Sequence, residues 1–87
     1  MEMEVTKMQM QEYKWSWIGH NTYRISLTYS NGAYCVYVSD GNRGHASSQN
    51  TDYNYALRSY EYLKEKYEAK GNKEYMERRR LAYGTQR

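Results

Sequence analysis

The chain contains no phenylalanine, no proline and a single cysteine, Cys35. One cysteine excludes an intrachain disulfide. No stretch is apolar for long enough to span a bilayer, and no apolar run follows Met1 as a secretory signal requires. The Asn-x-Ser/Thr glycosylation pattern does not occur. These absences lead to the expectation of an intracellular, cytoplasmic protein that starts natively at Met1. Without phenylalanine, the large apolar groups are twelve Tyr and two Trp. Tyrosine packs its ring inward while its hydroxyl reaches water or a partner at the rim. A core of this kind leaves many aromatic edges at the surface. Apolar residues make up 39% of the chain and the mean hydropathy is -1.18, so that surface is strongly polar. A length of 87 residues fits one small domain, 1–87, near the lower limit for burying a core unaided.

The net charge of +3 is unevenly placed. Basic and acidic residues balance over 1–51 and again over 52–70. The whole surplus falls in 71–87, where Lys73, Arg78, Arg79, Arg80 and Arg87 outnumber Glu74 and Glu77. A local basic end suits phosphate or an acidic protein surface.

The stretch YSNGAYCVYV, 29–38, carries the clearest structural signal. A two-residue Asn-Gly loop forms a type I′ turn because both positions tolerate positive φ. With Asn31-Gly32 as the turn, Tyr29 faces Tyr34, Leu27 faces Val36 and Ile25 faces Val38, all on one side of the hairpin. Thr28 with Cys35, Ser26 with Tyr37 and Arg24 with Ser39 fall on the other. The run YKWSWI, 13–18, also alternates. A three-residue loop, Gly19-His20-Asn21, sets Trp17 opposite Tyr23, Trp15 opposite Ile25 and Tyr13 opposite Leu27. The expectation is a three-stranded antiparallel meander over about 12–18, 22–30 and 33–39. Its apolar face carries Tyr13, Trp15 and Trp17, and its polar face carries Lys14, Ser16, Arg24 and Tyr37.

GNRGHASSQN, 41–50, is expected to be a polar loop. Thr51 or Asp52 then caps a helix whose stripe is Tyr53, Ala56, Leu57, Tyr60, Leu63 and Tyr67. That helix covers the aromatic face of the sheet. Gly71 ends it, Asn72 caps a second, short basic helix over about 73–83, and Glu74–Arg78 and Glu77–Arg80 pair along it. The expected class is α+β: a three-stranded meander packed by one helix, with a basic C-terminal helix and tail over 72–87. Residues 1–11 form either an arm or an extra strand.

Enzyme chemistry finds little support. His20 and His45 fall in turns or loops and Cys35 in mid-strand, with nothing to activate the thiol. No spacing suits metal ligation, and neither a phosphate loop nor a dinucleotide fingerprint occurs. The expectation is a non-enzymatic protein without metal or cofactor.

The order of elements in YRISLTYSNGAYCVYVSD, a loop and YNYALRSYEYL resembles the three-strand-plus-helix DNA-binding modules of tyrosine recombinase N-termini and AP2-type domains. The resemblance covers about residues 13–67 and implies a sheet face docked in the major groove. In size, lone compact α+β domain and Tyr-rich polar surface, the whole chain resembles the very small phage and mobile-element proteins that disarm host defence, anti-CRISPR proteins among them. That resemblance implies a stoichiometric binder that inhibits a host defence protein or ribonucleoprotein, such as a Cas nuclease. The basic charge argues against mimicry of DNA and for a target surface that is acidic, mixed or RNA-bearing. Tyr and Arg are favoured at interface hot spots. The candidate contacts are Arg24, Tyr37, Arg43, Tyr55, Arg58, Tyr62, Arg78, Arg79 and Arg80. The alternative is a small DNA- or RNA-binding module that uses Lys14, Arg24, Tyr37 and the arginine cluster. Either reading leaves the membrane out and fits a monomer or a homodimer, with a sheet edge free to pair.

Overall fold

A computed structural model describes the backbone of residues 11–84 and the side chains of residues 11–81. The expected arm or strand over 1–11 therefore lies, except for Gln11, outside the described residues, as does Arg87. The fold is α+β. Four antiparallel strands, β1 (Gln11–Ile18), β2 (Tyr23–Ser30), β3 (Ala33–Ser39) and β4 (Gly44–Asn50), pair in sequence order. One helix, α1 (Tyr53–Gly84), covers one face of the sheet. The core between them is Ile18, Tyr23, Ile25, Leu27, Val36, Val38, Ala56, Tyr60, Leu63 and Tyr67.

The β2–β3 hairpin has the register that its turn dictates, from Ser30 with Ala33 to Arg24 with Ser39. Asn31 and Gly32 both take positive φ, at 53° and 81°. Asp52 caps α1: its Oδ1 accepts the Asn54 N–H at 2.8 Å, and its carbonyl accepts that of Ala56 at 3.0 Å.

Three features depart from the expectation. Residues 44–50 form a fourth strand instead of part of a loop. They lack β-branched and large aromatic residues, yet an edge strand needs only backbone pairing and small side chains. The turn before β4 is built by Asp40. Its Oδ1 accepts the N–H groups of Asn42 and Arg43 at 2.8 and 3.0 Å, and its Oδ2 lies 2.8 Å from His45 Nε2.

The helix runs through Gly71 and Asn72, so a single helix stands where two were expected. A glycine costs a helix interior about 1 kcal/mol relative to alanine. Here the missing side chain lets the helix backbone touch the β1–β2 turn, since a Cβ on Gly71 would stand 2.7 Å from Gly19 Cα. The contact is fastened on both sides. The Gly19 N–H donates to Glu68 Oε1 at 3.4 Å, the Tyr23 hydroxyl donates to Glu74 Oε1 at 3.0 Å, and His20 stacks on Tyr75 with centroids 3.9 Å apart. Glu74 also pairs with Lys70 at 2.8 Å, and these hydrogen bonds, led by that from Lys70, hold its carboxyl below the ordinary carboxylate range.

The third departure is the register of β1. The connection has four residues, 19–22, of which Gly19, His20 and Asn21 all take positive φ. Ile18 therefore faces Tyr23, and Trp17 faces Arg24. A bulge at Tyr13 restores the alternation further back. Trp15 and Trp17 consequently point away from the helix, while Lys14 points toward it. With the helix backbone against Gly19, that end of the core has no room for an indole, and the smaller Ile18 fills it.

Candidate functional site

The face of the sheet turned away from α1 has no secondary-structure element over it among the described residues, and the β1 register decides what it displays. Trp17 lies beside Arg24, and one step along the strands Trp15, Ser26, Tyr37 and Ser47 form a row across all four. Trp15 is 50% exposed, Trp17 47% and Tyr37 44%, whereas Ser26 beneath them is buried. Small residues along β2 and β4 keep the rings raised above the sheet.

Two contacts orient these groups. The Arg24 guanidinium lies across the Trp15 ring, 4.6 Å from its centroid, and its Nη2 reaches Glu12 Oε2 at 3.1 Å. An exposed pair of this kind is worth about 0–1 kcal/mol, and the stack on tryptophan about 0.5–1 kcal/mol. They fix the guanidinium more than they stabilise the fold. Tyr37 lies over Gly44, where a Cβ would come within 2.9 Å of ring atoms Cε1 and Cζ. Gly44 thus supplies the shelf on which the phenol rests. The result is a cluster of three raised rings, Trp15 and Tyr37 in the row and Trp17 one step away, around one charge-balanced arginine.

The other expected contact residues are scattered. Lys14, expected on this face, lies on the opposite one, 3.6 Å from Glu61 Oε2 and 4.8 Å from the Tyr60 ring centroid. The four-residue connection 19–22 puts it there, by setting Lys14 opposite Leu27. Arg43 is exposed in the turn before β4. Tyr55 and Arg58 pair on the outer side of α1, 5.2 Å apart, and Tyr62 is exposed on the same helix. Arg78, Arg79 and Arg80 are exposed far along α1, where Arg79 also packs 5.8 Å from the Tyr75 ring. The sheet face therefore joins Arg24 and Tyr37 with Trp15 and Trp17, which sequence reasoning had placed in the core. The signal for the longer turn was Gly19-His20-Asn21, a run of residues that all tolerate positive φ.

Among the described residues, the cysteine and His45 lie on opposite faces of the sheet. Cys35 is half-buried on the helix-free face, while His45 lies on the other with its ring against Tyr23, 5.1 Å away. Among the described residues no three His, Cys, Asp or Glu side chains come together to hold a metal. The Asp40 carboxyl is held far below its usual range by the His45 hydrogen bond and by the two backbone N–H groups of its turn. No helix among the described residues is long and apolar enough to cross a membrane. Comparisons with protein-family models, with curated proteins and with solved structures return no match.

Proposed function

We propose that the protein is a non-enzymatic binder that docks onto a protein surface through the helix-free face of its sheet. In its specific form, the proposal is stoichiometric inhibition of a host defence complex of the anti-CRISPR kind, carried out in the cytoplasm of the host cell. The observation that carries the reading is the cluster of Trp15, Trp17 and Tyr37 on one sheet face, each about half exposed, around an arginine already paired with Glu12. Trp, Tyr and Arg are the residue types that dominate protein interfaces. A face whose one arginine is balanced by a carboxylate is poorly suited to polyanions, which reward unpaired cations. The removal of Lys14 from this face weakens the alternative of nucleic-acid docking there. A fitting partner offers apolar pockets for the rings and a carboxylate that competes with Glu12 for Arg24.

The test has two parts. A photo-crosslinking amino acid at Ser47, in the row, should trap one stoichiometric protein from nuclease-treated host extract, and the same group at Glu65 on α1 should not. Trp15→Ser/Trp17→Ser should abolish the crosslink while leaving the urea midpoint nearly unchanged, because neither ring lies in the core. Equal trapping from both positions, or none from Ser47, contradicts the docking face. In parallel, expression of the chain should restore transformation by plasmids that a CRISPR nuclease targets. Full interference across a panel of such systems contradicts the inhibitory role.

A further inference from the structure

Past Tyr75, α1 runs on beyond the sheet, among the described residues. Among the described residues, the last hydrogen bond and ring contact with the sheet and its turns are those of Glu74 with Tyr23 and of Tyr75 with His20. Every residue from Met76 to Leu81 is exposed, including Met76 at 58% and Leu81 at 66%. Six consecutive residues make more than one and a half turns, so all sides of the helix face solvent there. From residue 76 to residue 84 the helix continues for about 13 Å. Glu, Arg, Leu and Ala are strong helix formers, which favours a helix in this segment.

Its charge is one-sided: Arg78, Arg79 and Arg80 against Glu77. Successive residues on a helix are about 100° apart, so Arg78 and Arg80 stand about 200° apart, near opposite sides of the axis. A flat acidic surface could engage one side only. A groove with phosphates on both walls engages both. The major groove of B-form DNA is about 12 Å wide and admits an α-helix. The major groove of duplex RNA is deep and too narrow.

We infer that the projecting end of α1 enters the major groove of duplex DNA, with Arg78 and Arg80 on the phosphates of opposite walls and Arg79 on a third. The contact reads no base and depends on backbone charge alone. It is independent of the docking face described above and uses none of its residues. A chain carrying both sites would hold a protein partner on the sheet while its helix rests on DNA which that partner handles.

The experiment is fluorescence anisotropy of a labelled 20-base-pair DNA duplex titrated with the whole protein, at about 50 and 200 mM salt. Three phosphate contacts predict a log–log slope near −2.7, or an affinity about 40-fold weaker at the higher salt. Arg78→Gln/Arg80→Gln keeps helix-forming residues, and circular dichroism checks that the helix survives. It should lower the slope to about −0.9, or about 3.5-fold over the same range. The RNA duplex of the same sequence should bind at least tenfold more weakly. Trp15→Ser/Trp17→Ser should leave DNA binding unchanged, which separates failure of this inference from failure of the docking face. No binding at 50 mM salt, an unaltered slope in the arginine variant, or equal affinity for RNA overturns it.

Discussion

Gly19 and Gly71 show how a single missing side chain sets the path of a whole helix. The ideal Cβ of either residue would stand 2.7 Å from the Cα of the other, and that of Gly71 would lie 2.8 Å from the Gly19 carbonyl oxygen. Gly19 also holds a φ of 62°, which few other residues tolerate. In an open helix, Gly71→Ala would gain about 1 kcal/mol from propensity. Here the new methyl meets the backbone of Gly19, and neither strand turn nor helix yields easily. The expected net outcome is destabilisation by about 1–3 kcal/mol, read from the urea midpoint. A midpoint that stays or rises would show that turn and helix do not touch. The same residue explains a failure of sequence reasoning. Gly71 reads as a helix stop because propensity is local, whereas its use here depends on a residue 52 positions earlier.

At the scale of elements, the β3–β4 hairpin rests on a charged group. The Asp40 carboxyl accepts two backbone N–H groups and meets His45, so folding lowers its pKa below the ordinary 3.8. The ionised form is the one the fold favours. That stabilisation is complete above about pH 5 and is lost as the pH falls below the ordinary value toward the lower folded one. Asp40→Asn should therefore lower the urea midpoint at pH 7, and the gap between variant and wild type should narrow at pH 3. An equal gap at both values would mean that the charge does not matter. Elements whose pairing is set locally were legible in the sequence: the Asn31-Gly32 hairpin in full register, the Asp52 cap, and the stripe of Ala56, Tyr60, Leu63 and Tyr67. β4 was not, because an edge strand of Gly, Ser, Gln and Asn takes its order from β3. Half of the proposed docking face was legible. Arg24 and Tyr37 followed from the hairpin, but Trp15 and Trp17 did not, since one extra turn residue reverses the strand as far as the bulge at Tyr13.

At the scale of the molecule, the two faces of the sheet differ in what covers them among the described residues. One is sealed by α1, with a rim of packed tyrosines in which Tyr13, Tyr34 and Tyr53 lie 5.3–6.0 Å apart. The other presents rings to solvent at no cost to the core. The division holds only if β1 is turned as described. With a three-residue connection, both indoles would lie under the helix and Lys14 would face water. The most direct test is tryptophan fluorescence of the native protein with acrylamide as quencher, which needs no partner and no substitution. Trp15 and Trp17 are the only tryptophans, so they account for all the tryptophan emission. The predicted result is emission shifted to the red, as for an indole in contact with water, and quenched in a single accessible population. Blue-shifted emission protected from acrylamide would place the indoles in the core and remove the docking face.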